Sequence, residues 1–230
     1  MQEDPQIKLS DPEITKRENH LIDIFDLGLD GEDVIGYHGT SLESIEYLIE
    51  NGHLPGATED IILRRGDLYF YPRKKMFQEH HLAHTFFDSE AIEKTEEFAS
   101  IIAQEHYLMK HLGLDMNDQS MRRLAKGMLL FDMEQEEAYE ELGKMGFSPE
   151  QLDEALEQAE ERSGIVLALD KKILQHFNPE DGDENEGDLK INCPDGLDYS
   201  YFSGLKPISD QEWDFFENLR KKDPAITEVI

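Results

Sequence analysis

The stretch Val34-Ile35-Gly36-Tyr37-His38-Gly39-Thr40-Ser41-Leu42-Glu43-Ser44-Ile45 decides how this chain is read. Val34 and Ile35 are apolar and β-branched, which suits a buried strand. Gly36 and Gly39 bracket a Tyr-His pair where that strand should end, and glycine lets another group approach the backbone closely. Thr40 as N-cap and Glu43 three residues on read as a capping box. The helix predicted after it buries Leu42, Ile45, Leu48 and Ile49 at helical spacing and stops at Asn51-Gly52. His38 is thus expected at the C-terminal end of a strand, just before helix amides that favour anionic or carbonyl ligands. Taken alone, the pattern fits a strand-to-helix turn with a structural histidine equally well.

Outward from there, residues 64–75 combine an aromatic strand, Leu68-Tyr69-Phe70-Tyr71, with five basic residues and one acid. Arg64, Arg65, Arg73, Lys74 and Lys75 are the concentrated positive segment of a very acidic chain. They suit attraction of a phosphorylated ligand, with Arg73 and its neighbours able to make bidentate phosphate contacts. The bland reading is that these cations offset acidic neighbours on the surface.

Tyr37-His38-Gly39-Thr40-Ser41 with its helix, followed by Gly66-Asp67-Leu68-Tyr69-Phe70, resembles the first two motifs of the ADP-ribosyltransferase fold. The resemblance is to the His-Tyr-Glu branch, which includes the poly(ADP-ribose) polymerases, the diphtheria-type toxins and the RNA 2′-phosphotransferases. The second motif has one residue more than the family's Gly-x-Tyr-Phe. This resemblance implies NAD as substrate and no metal. It implies that His38 bonds a ribose hydroxyl, that the Gly39 backbone pairs with the nicotinamide carboxamide, that Thr40 touches the adenosine ribose, and that Tyr69 stacks on the nicotinamide ring. In the family, a Glu on a late strand stabilises the oxocarbenium-like transition state. Here the corresponding stretch, Leu197-Asp198-Tyr199-Ser200-Tyr201-Phe202-Ser203-Gly204, has no Glu. Asp198 is its only carboxylate, ungapped placement by Gly204 puts Tyr199 nearest the Glu position, and Glu186 and Asp188 lie on a neighbouring loop.

At 230 residues the chain holds one domain, or one domain with an insertion. Its 52 acidic against 22 basic residues give a formal charge of −30. Such a surface repels nucleic acid and anionic membranes outside any local basic patch. Cys193 is the single cysteine, so a reducing compartment fits. The acidic start carries no apolar stretch of the signal-peptide kind, and no apolar run is long enough to span a bilayer. These features lead us to expect a cytoplasmic protein; a secreted effector without a cleaved signal would look the same.

The rest of the chain reads as follows. Residues 1–32 form a tail with a short helix over Leu21, Ile22, Ile24, Phe25 and Leu27. Ser89 opens a long helix to about Gly113. Residues 113–163 form a helical insertion, and Ser148-Pro149-Glu150-Gln151 opens its last helix with a capping box. Met145-Gly146-Phe147 with the helices around it resembles the first two helices of a ubiquitin-associated domain, but the strand residues from Ile165 leave no third helix, so a structural turn is expected. Ile165–Leu169 is a buried strand and Asp170 caps a turn after it. His80 and His84 have helical spacing for a metal but no third ligand, and Asp181, Asp183 and Asn185 lack the glycine and twelfth-position Glu of a calcium loop.

The expected fold is α+β: an ADP-ribosyltransferase-like split β-sandwich of small, mostly antiparallel sheets flanked by helices, with the helical insertion. Strands are expected near 34–38, 67–71, 165–169, 189–193 and 197–203, within one domain spanning 33–230. The expected activity is NAD-dependent mono-ADP-ribosyl transfer to a macromolecular, unidentified protein acceptor. The alternatives are a catalytically degenerate NAD- or ADP-ribose-binding module, and an unrelated acidic α+β interaction protein with a structural His38.

Overall fold

A computed structural model describes residues 11–54, 67–73, 88–115, 118–129, 133–181 and 188–222. Its centre is a six-stranded sheet in the order β5-β6-β3-β1-β4-β8, every neighbouring pair antiparallel. The strands are β1 (Val34–Thr40), β3 (Asp67–Pro72), β4 (Ile165–Asp170), β5 (Glu180–Asp181), β6 (Leu189–Asn192) and β8 (Phe202–Pro207). A separate two-stranded ribbon joins β2 (His53–Leu54) to β7 (Leu197–Asp198). The mixed α+β class holds. Within the six-stranded sheet, β3 changes partner along its length. Its first four residues pair with β6, and Tyr71 and Pro72 pair with β1.

Helices cover both faces. On one side lie α1 (Pro12–Leu27), α2 (Leu42–Asn51) and α7 (Asp210–Lys222), whose Leu21, Phe25, Ile45, Leu48 and Phe216 join Ile35, Phe70, Leu167 and Ile191 in the main core. On the other side lies α3 (Asp88–His111), whose Ala91 packs with Val34, Tyr37, Val166 and Ala168. Continuous burial of β4 follows from this coverage, and explains its unbroken apolar sequence.

The described part of 113–163, expected as a helical insertion, is largely helical: α4 (Gln119–Met128), α5 (Met133–Lys144) and α6 (Pro149–Glu160) build a second core with the end of α3 through Leu108, Met109, Leu142 and Leu152. Ser148 and Gln151 form the predicted capping box. The Met145-Gly146-Phe147 turn is a helix stop. Gly146 takes φ 106°, Phe147 N–H donates to the Leu142 carbonyl at 3.2 Å, and both side chains enter the same core.

Four local expectations are corrected. The first helix starts at Pro12, capped by Asp11, and is not preceded by a loose tail up to Leu21. Ser41, not Thr40, caps α2, because Thr40 stays in the sheet opposite Ile165. Residues 197–203 are not one strand: Asp198 accepts a hydrogen bond from the Ser200 N–H at 2.9 Å, turning the chain through a 3-10 turn (Tyr199–Tyr201) before β8. Glu180–Asp181, expected as loop, is an edge strand.

Candidate functional site

The site forms where β1 and β3 part. Arg73 N–H donates to the Ile35 carbonyl at 2.8 Å, so the backbone of Ile35, Tyr37 and Gly39 faces β3 by strand alternation. Pro72, which has no N–H, occupies a position opposite Gly36 where none is needed. Gly36 itself is required there: a Cβ would stand 2.6 Å from the Phe70 ring and from the Tyr71 carbonyl. The paired ladder ends at Tyr37–Tyr71. Continued in register, the next outward-facing pair would be Gly39 with Tyr69. Instead the His38 side chain reaches across, its Nδ1 2.7 Å from the Tyr69 carbonyl oxygen.

A carbonyl only accepts, so this bond places the proton on Nδ1 and leaves Nε2 as an acceptor. Burial pushes the His38 imidazole down to about 4, against the smaller raising effect of the Tyr69 carbonyl, so the ring is neutral at pH 7. In β1, His38 is the one residue that is not fully buried. A neutral imidazole with a fixed tautomer and an accessible edge accepts a hydrogen bond from a hydroxyl. A strand amide and carbonyl side by side at Gly39 suit a carboxamide. Both halves of that arrangement fit the groups the resemblance implies.

Gly39 has a second reason to lack a side chain. A Cβ would meet the Thr95 carbonyl at 2.7 Å and the Ala99 nitrogen at 2.8 Å, on the helix α3 that lies against this face. At Gly39 the strand therefore packs directly on the backbone of α3. Next along the chain, Ser41 is completely buried and its hydroxyl bonds His106 Nδ1 of α3 at 2.7 Å. Burial, then the nearby Arg122 guanidinium, hold His106 down to about 4. Arg122 of α4 pairs with the buried Glu105 at 2.8 Å, tying the insertion to the same turn of α3.

The remaining expected residues fall differently. Thr40 is 3% exposed within the ladder, which leaves little of it for a ligand. Tyr69 sits on β3 beside the split, partly exposed. Arg73 is at the other end of β1: its guanidinium donates to the Gly31 carbonyl at 2.7 Å, so it braces the start of the strand. Tyr37 and Tyr71 pack against α3's face of the sheet, as alternation requires. Arg64, Arg65, Lys74, Lys75, His80 and His84 lie outside the described residues, as do Asp183, Asn185 and Glu186.

Asp198 is not brought to His38. It belongs to the β2–β7 ribbon, in register with His53, and lines a surface cavity of about 660 Å³ with Lys16, Arg17, Asp195 and Tyr199. Arg17 there caps α2, donating to the Ile49 and Glu50 carbonyls at 2.8 Å each. The strand beside β4 that the resemblance would require to carry a carboxylate, β8, reads Phe202-Ser203-Gly204-Leu205-Lys206-Pro207 and has none. Sequence reasoning also missed Lys190, buried on β6 directly opposite Tyr69; nothing in the pattern Leu189-Lys190-Ile191 marks that lysine as interior. Among the described residues, no cluster of three or more His, Cys, Asp or Glu side chains is arranged to hold a metal ion. No described helix is long and apolar enough to cross a membrane.

No protein-family model matches this chain, and no curated protein or solved structure matches it either.

Proposed function

We propose that the chain binds NAD at the β1–β3 split and acts as a mono-ADP-ribosyltransferase on a macromolecular acceptor. The observation that carries this reading is the His38–Tyr69 bridge, 2.7 Å long, beside a Gly39 backbone that faces the same gap. In this reading the Gly39 amide and carbonyl take the nicotinamide carboxamide, and His38 Nε2 accepts from a ribose hydroxyl. Tyr69 offers the ring face on which the nicotinamide stacks. Breaking the nicotinamide–ribose bond develops positive charge on the ribose, which a carboxylate would stabilise.

A second reading is favoured by one finding, the lack of any carboxylate on β8. It is that the chain binds NAD or ADP-ribose without turnover. Calorimetry with NAD on the wild type, His38→Ala and Tyr69→Ala, with nicotinamide release followed in the same samples, separates the two. Binding lost in both folded variants, with release in the wild type, supports the transferase. Binding without release supports the second reading. A folded wild type that binds neither NAD nor ADP-ribose ends both.

A further inference from the structure

The surface cavity of about 660 Å³ that Asp198 lines is bordered by α1 and by the β2–β7 ribbon, and two glycines shape it. Gly52 ends α2 at φ 84°, and a Cβ there would stand 3.1 Å from the Arg17 guanidinium. Arg17 therefore lies against the helix end, and its Nη1 donates to the Ile49 and Glu50 carbonyls. The rest of the guanidinium is unused. Nε is buried without an acceptor, Nη2 is neither bonded nor buried, and Arg17 makes no ion pair among the described residues. Its positive charge is thus uncompensated at the cavity wall.

On the ribbon side, Gly196 takes φ 81°, and a Cβ there would run into the His53 ring. This turn sets Asp195 on the same cavity, exposed, with no hydrogen bond or ion pair among the described residues. The other charges of the cavity have partners. Lys16 has Glu13 4.0 Å away and the Tyr199 hydroxyl beside it, and Asp198 holds the Ser200 N–H. One cation and one carboxylate therefore share a cavity without pairing with each other.

We propose that this cavity binds a small zwitterion of the amino-acid class, its carboxylate on Arg17 and its ammonium on Asp195. The site is separate from His38 and does not rest on the function proposed above. A bare anion would meet Arg17, but also Glu13, Asp195 and Asp198, in a chain of net charge −30. A bare cation would meet Arg17 and Lys16. A ligand that carries both charges and no net charge escapes either repulsion and complements both unpaired groups. The planar guanidinium suits a carboxylate, and an ammonium brings three donors to the acceptor oxygens of Asp195. The volume lies within the range of small-molecule sites, about 300–1,000 Å³. Half-buried Tyr199 offers the ligand's carbon atoms an aromatic wall.

The test is an NMR titration of the whole chain with glycine and γ-aminobutyrate, which hold the two charges at short and long spacing. Acetate and methylammonium, each with one of the charges, are titrated in parallel. The expected result is saturable binding of at least one zwitterion, with acetate and methylammonium about tenfold weaker or more because each makes one charged contact. Asp195→Asn removes a carboxylate that braces nothing, so it should melt like the wild type and bind the zwitterion about threefold weaker or more. Arg17→Gln should weaken it as well; it also loosens the end of α2, so Asp195→Asn decides. Acetate binding as tightly as the zwitterion would make this a plain anion site and overturn the proposal. So would a zwitterion affinity unchanged in Asp195→Asn, or a folded wild type that binds neither zwitterion.

Discussion

His38 and Tyr69 are joined side chain to main chain, the Nδ1 of the first donating to the carbonyl of the second across 2.7 Å. The bond stands where the β1–β3 ladder ends, and it fixes which ring nitrogen is a donor. Replacing His38 by Asn keeps a side-chain amide for the carbonyl but offers no ring acceptor at the Nε2 position. The variant is expected to fold, and to lose about tenfold or more of its NAD affinity, a loss of roughly 1.4 kcal/mol or more. Because His38 is neutral down to about 4, NAD affinity should be flat between pH 6 and 8. A step in that range in the wild type, absent in His38→Asn, would contradict the neutral ring.

Stability, in contrast, should respond to acid through two histidines. His38 and His106 are both held down to about 4 by burial, whereas an unfolded histidine titrates near 6.5. The unfolded chain therefore binds more protons between those values, so stability is fully present above pH 6.5 and falls as pH drops toward 4. Each histidine can contribute up to about 1.4 kcal/mol per pH unit across that window. Denaturant unfolding from pH 7 to 5, a range above most carboxylate titration, should show the slope, and His106→Gln should flatten it.

Gly39→Ala is expected to cost more than a small substitution usually does. Its added carbon would press on the backbone of α3 at Thr95 and Ala99, which cannot swing aside like a flexible side chain. A loss of about 2–4 kcal/mol is expected, larger than a typical surface change, and thermal unfolding measures it. Gly143, which has nothing near it, is the control: Gly143→Ala lies inside α5 and should be stabilising by several tenths to about 1 kcal/mol.

Asp198→Asn tests the reading of the ribbon. Asparagine can still accept from the Ser200 N–H, so the turn should persist. With Asp198 in register with His53 and not on the sheet with His38, nicotinamide release should be unchanged. A loss of release at unchanged NAD affinity would return Asp198 to the catalytic centre.

The Glu105–Arg122 pair links α3 to the insertion. Glu105→Gln leaves the guanidinium half-satisfied in a largely buried setting and should cost about 3 kcal/mol. The double variant Glu105→Gln, Arg122→Met should recover part of it, which a double-mutant cycle reads directly.

Most of the secondary structure was legible because it is written in local chemistry. Ser148-Pro149 and Gln151 start a helix whatever surrounds them, and an apolar run such as Ile165–Leu169 has few alternatives to a covered strand. What stayed hidden was set by partners distant in sequence. Thr40 and Ser41 are both good caps, and the choice fell to Ser41 because pairing with Ile165 holds Thr40 in the sheet. Residues 197–203 alternate like one strand, and only the Asp198 cap breaks them. Arg73 was read as a phosphate ligand, and its bond to the Gly31 carbonyl, 42 residues away in sequence, was not readable. The strand at Val34–His38 was readable, but it runs on through Gly39 to Thr40 instead of turning there, and the divergence of β1 from β3 beside it was not readable, since it depends on β3 taking β6 as its other partner.

The 24 residues of α3 make a rod about 36 Å long that belongs to two cores at once. Ala91, Thr95 and Ala99 bed its first half under the sheet, while Leu108 and Met109 anchor its far end among the insertion helices. The inserted helices are thus no detachable appendage. Like a keystone shared by adjoining arches, the rod makes the two cores stand or fall together, and a protein cut free of its insertion would be left with a bare apolar spindle jutting from its side.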